Sequence, residues 1–419
     1  MKRPMTKALR AACAALLAVL TAVPTFAAPA AAHPGHPVRH WTATWSTANI
    51  AAAPDPFGGT NWADGFENQS LRQPVRVSRG GSEVRIRLSN VYGSAPLRLA
   101  GASIARSAQG PSVEPGSQRA VLFGGRRSAV VPAGRQLSSD AVALRVAPLE
   151  RLTVTLYFAG RTGPATFHPF ALATAYRAAG NHLRDGSGGA YTETSQSWYY
   201  LSGIDVSGGY GGTVVAFGDS ITDGAFSTPD ANNRYPDELA ERLVAAGSGK
   251  AVVNAGIGGN RVLTDSPGFG DRATARFGRD ALDQPGVRTV IVLEGINDIG
   301  LGVGAEAQPV TAEQLIAGHR KLIRAAHARG VRMIGATILP FAGVTYPGYY
   351  TEEGEKVRDA VNRWIRTGGE YDAVADFDRA LADPADPDRL NPAYDGGDGL
   401  HPNDAGMRAM AEAVDLHRL

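Results

Sequence analysis

Four short segments of this chain carry residue types that can do chemistry, each beside a run that reads as a strand or helix. The first is Phe217-Gly218-Asp219-Ser220-Ile221-Thr222-Asp223-Gly224. A serine directly after a buried strand, with glycine two residues before it, can be presented on a tight turn as a nucleophile. Turn serines are common, so this segment alone assigns nothing. Thr222 stands where a G-x-S-x-G elbow needs its second glycine, and no lysine follows the glycines as a phosphate loop requires. The second segment, Asn254-Ala255-Gly256-Ile257-Gly258-Gly259-Asn260-Arg261, holds three glycines within four residues. Their N–H groups could face an anion, or the glycines could serve only a tight turn. The third, Glu294-Gly295-Ile296-Asn297-Asp298, offers an uncharged amide donor that could stabilise developing negative charge, or a side-chain cap. The fourth is Asp395-Gly396-Gly397-Asp398-Gly399-Leu400-His401-Pro402-Asn403. Its three-residue spacing can set the Asp398 carboxylate against one ring nitrogen of His401, fixing the tautomer while the other nitrogen faces a cleft.

The elements that must position these segments follow a recognisable rhythm. Segments 213–217, 251–255, 289–293, 331–339 and 371–377 are short apolar runs. Between them lie amphipathic stretches such as 311–330, where Leu315, Ile316, Leu322, Ile323 and Ala326 recur at helical spacing. Strands alternating with helices predict a parallel sheet covered on both faces. In such sheets ligands bind beyond the carboxyl ends of the strands. His319 and His327, on a helix with basic neighbours, read as solvated. The segment 341–355 carries four aromatics (Phe341, Tyr346, Tyr349, Tyr350) in a Pro/Gly-bearing loop and could line an acyl or sugar site, or simply pack on the surface.

Ahead of residue 205 the period changes. In Glu83-Val84-Arg85-Ile86-Arg87-Leu88 the apolar residues fall on one face and the arginines on the other, and 141–146 and 152–156 alternate likewise. Short alternating runs joined by Gly/Ser/Pro-rich turns predict an antiparallel β-sandwich over residues 41–204. Four of the five tryptophans (Trp41, Trp45, Trp62, Trp198) lie there, and core packing is the simpler reading than a carbohydrate-binding face. Residues 205–212 read as a flexible linker and 213–419 as the second domain.

The first 32 residues have a different character again. Lys2, Arg3, Lys7 and Arg10 precede the apolar run 11–23 and small residues with A-x-A sites, the pattern of a cleaved secretory signal. That run is shorter than the ~20 residues of a spanning helix, so no stable membrane anchor is expected. The only cysteine, Cys13, lies within it. The chain of 419 residues carries Lys+Arg 42 against Asp+Glu 40; without the leader, 38 bases face 40 acids. A near-neutral chain without basic runs argues against a nucleic-acid partner. No His/Cys/Asp cluster supplies a metal site, and no cofactor is expected.

Taken in order, the four segments resemble the blocks of the SGNH hydrolases, a branch of the GDSL esterase/lipase superfamily, with G-D-S-I in place of G-D-S-L. The whole arrangement also resembles secreted actinobacterial two-domain esterases. The resemblance implies a flavodoxin-like α/β/α sandwich for residues 213–419 and a carboxylic ester hydrolase activity on lipid, small acyl or acylated-glycan esters. It implies Ser220 as nucleophile, His401 as general base and Asp398 as its orienting carboxylate. The oxyanion donors would be the Ser220 and Gly259 N–H groups and the Asn297 amide. Asp219, Glu294 and Asp298, charged and close in sequence to these residues, read as their support. A polysaccharide O-acetyl esterase with a glycan-gripping β-domain, an acyltransferase using the same residues, and a non-enzymatic binding protein are the competing readings. Oligomeric state is not legible.

Overall fold

The structure, a computed structural model, describes residues 40–54, 61–208, 211–301 and 309–419. The leader expected at residues 1–32, with Cys13, lies outside the described residues.

Short alternating strands build two antiparallel sheets in the first half. One has four strands in the order Trp41–Ser46, Leu201–Ser207, Val84–Asn90, Arg135–Ser138. The other has six: Glu193–Ser195, Ala175–Ala179, Gln69–Arg76, Arg151–Phe158, Gly101–Arg106, Arg119–Val121. Val84, Ile86 and Leu88 of the first sheet and Leu152, Val154 and Leu156 of the second are fully buried in one continuous core. Trp45, Trp62 and Trp198 belong to it, Trp45 edge-on to Trp198 at 4.9 Å. Val142, Leu144 and Val146 are buried as the alternation predicts, but residues 141–146 pair only through isolated bridges.

The alternation misleads about the other faces. Arg85 and Arg87 do not face water: their Nε–H groups donate to the two carboxylate oxygens of Asp205 at 2.8 and 3.0 Å, and Arg87 also donates to Gln284 at 2.6 Å. Thr153 and Thr155 are likewise buried, because loops cover that face and Arg72 donates to the carbonyls of Pro111 and Ser187. Asp205, Val206 and Ser207, expected to begin the linker, instead end a buried strand. The described residues form one compact unit.

In the second half the apolar runs become five strands, Ala251–Gly256, Thr213–Gly218, Val287–Leu293, Arg332–Ala336 and Ala373–Ala375, in that spatial order and all parallel. This 2-1-3-4-5 order is flavodoxin-like, with its switch point beside the Thr213–Gly218 strand. Every residue of that strand is buried, so helices cover both faces. The stretch at 311–330 folds as helix Ala312–His327, started by a Thr311/Gln314 capping box. It buries Leu315, Leu322, Ile323 and Ala326.

The sandwich covers one of the two edges that this order leaves open. Strand Trp41–Ser46 runs along Ala251–Gly256: Ser46 Oγ donates to the Asn254 carbonyl at 3.2 Å, and the Val252 N–H donates to Ser78 Oγ at 3.0 Å. An exposed edge strand invites pairing with other chains; here the chain covers its own.

Candidate active site

Ser220 owes its position to its neighbours. A side chain at 218 would overlap Thr222 Oγ1 at 2.1 Å and the Leu293 carbonyl at 2.4 Å, so only glycine lets the strand turn this tightly. Asp219 then caps the turn Ser220–Asp223, accepting the Ile221 N–H at 3.0 Å, and Gly224 ends it at φ 108°. Ser220 therefore stands first in a helical turn at the strand's carboxyl end.

His401 arrives from the other end of the chain. Asp395 Oδ1 accepts the N–H groups of Gly397 and Gly399 at 2.8 and 3.0 Å, folding the glycine loop back on itself. Gly399, at φ 72°, passes so close to Gly343 that a Cβ would sit 2.1 Å from its carbonyl oxygen. Asp398 Oδ1 accepts the backbone N–H groups of Leu400 and His401; its Oδ2 accepts His401 Nδ1–H at 2.6 Å and the Tyr346 hydroxyl at 2.8 Å. Burial pushes this carboxyl up, but the bonds and charge of His401 and the Tyr346 hydroxyl outweigh it and hold it at about 2. An ionised Asp398 on Nδ1 leaves Nε2 as the acceptor, and the Ser220 hydroxyl lies 2.8 Å from it. The ring of Phe226 stacks on the imidazole, centroids 5.3 Å apart at 6°.

The second and third segments flank Ser220 on the neighbouring strands. Gly259 takes φ 73°, and a Cβ there would strike the Phe269 ring at 2.4 Å. Asn297 is buried and held at both ends of its amide: Nδ2 donates to the Asn260 carbonyl at 3.0 Å, and Oδ1 accepts the Tyr349 hydroxyl at 2.9 Å. That hydroxyl fixes which way the amide points, leaving the second Nδ2 hydrogen for another acceptor. The aromatic loop thus serves the polar side chains of the site. Tyr349 is buried against Asn297 and Tyr346 is bonded to Asp398; Tyr350 packs on Phe341 at 5.2 Å.

Beneath these segments lies a polar platform that sequence reasoning found only in part. Asp298 accepts the N–H groups of Val262 and Leu263 at 2.7 and 3.1 Å, anchoring the chain beyond Gly259; burial pushes its carboxyl up to about 6. Arg276, fully buried, was missed. It donates to the carbonyls of Gly218 and Ala255 and to Asn260 Oδ1, each at 2.8 Å, and to Glu294 at 3.1 Å, with Phe217 against its guanidinium at 3.9 Å. One side chain thereby ties together three of the four segments. Burial and the nearby Asp219 push Glu294 well above the carboxylate range despite Arg276. Burial likewise raises Asp219 to about 7, against the Ile221 N–H and Arg276.

Two further residues differ from expectation. His319 is not solvated: it is fully buried, Nδ1 lies 2.6 Å from the Tyr371 hydroxyl, and burial pushes it down to about 4. Asp223, not singled out in sequence, accepts the Gly258 N–H at 3.2 Å and pairs with His168 at 2.9 Å. No cluster of metal-ligating side chains occurs among the described residues, and none of their helices is long and apolar enough to cross a membrane.

A flavodoxin-like sheet thus carries a serine, a glycine loop and an asparagine at its strand ends, with the histidine of the C-terminal loop facing the serine. Residues 216–409 match the model of the GDSL-like lipase/acylhydrolase family. Among solved structures, a lipase/acylhydrolase from Enterococcus faecalis is 18% identical, covering 48% of this chain and 92% of its own, with TM-score 0.38. A GDSL-like lipase from Bacteroides thetaiotaomicron is 19% identical, covering 49% and 87%, with TM-score 0.37. A variant of an acetyl xylan esterase from Geobacillus stearothermophilus is 24% identical, covering 49% and 93%, with TM-score 0.38. No curated protein matches the chain.

Proposed function

We propose that this protein is a secreted serine carboxylic ester hydrolase in which Ser220, His401 and Asp398 act as a triad. One observation carries the reading: the unbroken hydrogen-bond chain from Ser220 Oγ through both nitrogens of His401 to Asp398, at 2.8 and 2.6 Å. His401 Nε2 takes the proton as Ser220 Oγ bonds to the ester carbonyl carbon. The tetrahedral oxyanion receives hydrogen bonds from the Ser220 and Gly259 N–H groups and the Asn297 amide. The carbon–oxygen single bond then breaks, and His401 returns its proton to the departing alcohol. A water molecule, deprotonated by His401 in turn, releases the acid from Ser220. Asp398 stays ionised throughout and stabilises the imidazolium in each half.

The rim of the site favours an apolar group on the substrate. Phe226 and Tyr346, beside His401 and Asp398, are two of the four large hydrophobic side chains classed as exposed among the described residues. Phe226 also holds φ 69°, a conformation costly for a bulky side chain, while its ring lies on the imidazole. Export rests on the leader at residues 1–32 and is checked by the N-terminus of protein recovered from the medium.

The test is initial hydrolysis rates on p-nitrophenyl esters from acetate to palmitate, beside Ser220→Ala. Loss of at least ~10⁴-fold in turnover is expected for the variant. Hydrolysis persisting in Ser220→Ala would sink the mechanism.

A further inference from the structure

One contact of the β-rich half with the site is polar, buried and specific. His168 leaves the short strand Phe167–His168 of this half and reaches Asp223, the last residue of the turn that begins with Ser220. Asp223 divides its carboxylate between the two halves of the site. Oδ1 faces His168 Nε2 at 2.9 Å, and Oδ2 accepts the Gly258 N–H at 3.2 Å, one residue before Gly259.

The chemistry around the ring sets its charge. His168 Nδ1 lies 2.7 Å from the Ala48 carbonyl, and Nε2 faces the Phe170 carbonyl at 3.3 Å as well as Asp223. With acceptors on both nitrogens, the ring satisfies its surroundings only as the doubly protonated cation. Complete burial opposes that charge and the Asp223 carboxylate restores it. Trp198 stacks on the imidazole at 5.6 Å, and the Arg234 guanidinium lies against the same indole at 5.4 Å while donating to the Ala171 carbonyl at 2.9 Å. Phe170 completes the grip: a Cβ on Gly258 would sit 2.8 Å from its ring, so the β-half lies directly against the glycine loop.

We propose that His168 is a positioning residue for ester hydrolysis: through Asp223 it holds the Gly258–Gly259 loop in the register that aims the Gly259 N–H at the oxyanion. This rests on the serine-hydrolase reading above. Removing the imidazolium leaves a buried carboxylate without its counter-charge; it then takes up a proton or moves, and either change weakens its hold on Gly258. The β-half is in this account a part of the active site, supplying geometry to a site whose reacting groups all lie in the other half.

Steady-state kinetics of the full chain on p-nitrophenyl butyrate test this. His168→Ala should lower kcat tenfold or more with KM within twofold. His168→Gln, which keeps an N–H directed at Asp223 but not the counter-charge, should recover at least threefold over His168→Ala without reaching the native kcat. A folded His168→Ala protein with native kcat and only a lowered melting temperature would reduce the contact to a structural one and overturn the proposal. Should His168→Ala not fold, a cross-domain pair decides. Gly258→Ala should lower kcat tenfold or more by pressing on Phe170, and adding Phe170→Ala should regain at least fivefold; no regain overturns the proposal. Native protein without Ser220-dependent hydrolysis would overturn the parent reading too, whereas Ser220-dependent hydrolysis indifferent to these changes removes this inference alone.

Discussion

The two sides of Ser220 are built on opposite plans. On the side of Gly259 and Asn297, neutral donors are locked by several bonds each: Asn297 at both ends of its amide, its neighbour Asn260 by Arg276, and the glycine loop by Asp223 and Asp298. On the side of His401, Asp395 and Asp398 brace the glycine loop by its backbone N–H groups, but the imidazole itself is held by one bond, Nδ1–H to Asp398, and its other nitrogen faces Ser220 beside two exposed aromatics. The difference suits the roles proposed for the two sides. A base must gain and lose a proton in each half-reaction, so its surroundings must suit both states. An oxyanion donor must not reorganise, since its worth lies in being in place before the charge forms.

That contrast can be broken most sharply at Asp398. Asp398→Asn should lower turnover by about 10³- to 10⁴-fold, because an amide facing Nδ1 favours the tautomer that cannot accept the Ser220 proton. A loss under tenfold would mean that loop geometry alone orients His401. On the locked side, Asn297→Ala should cost about 10²- to 10³-fold in kcat with the fold intact, as expected for removal of one oxyanion donor. A fall of less than fivefold would make Asn297 merely structural.

Two smaller effects sharpen the picture. Tyr349→Phe removes only the hydroxyl that orients Asn297 and leaves a buried acceptor unpaired; a loss of about 1 kcal/mol, roughly fivefold in kcat, is expected with KM unchanged. Acyl-chain preference shifting instead would return Tyr349 to a substrate-lining role. The last test concerns the platform. Asp219 has its folded-state pKa raised to about 7, so the folded state holds a proton that the unfolded chain releases near pH 4. Stability from this group therefore falls as pH rises between about 4 and 7 and is level above. Asp219→Asn keeps an acceptor for the Ile221 N–H and removes the charge, so its stability relative to the native protein should improve across that window in denaturant melts. A pH-independent difference would show that Asp219 is ionised at pH 5.

How far the sequence reaches differs by residue. Ser220, Gly259, Asn297 and His401 are legible because each sits in a short, ordered motif beside a strand or helix, and local apolar runs are enough to foresee a parallel sheet. Arg276 is not legible: in Ala273-Thr274-Ala275-Arg276-Phe277 it looks like any helical arginine, and its partners lie at 218, 255, 260 and 294. The burial of His319 is not legible for the same reason; its basic neighbours in sequence matter less than Tyr371, 52 residues on. The aromatic loop reads in sequence as either a substrate wall or a packed surface loop, and neither reading foresees that two of its hydroxyls serve Asp398 and Asn297.

The sequence by itself determined the class of most elements, because the periods of 2 and 3.6 residues follow from how a strand and a helix turn their side chains. It also determined which residues could react, because a serine, an imidazole and a carboxylate keep their chemistry wherever they stand. Tertiary structure alone decided which charges are buried together. Arg85 and Arg87 on Asp205, Arg276 on Glu294 and His168 on Asp223 each join residues 18 to 120 positions apart. Their ionisation depends on desolvation and on partners that no local pattern specifies, so both the rigid floor of the site and the hold of the β-half upon it come into being only when the chain has packed.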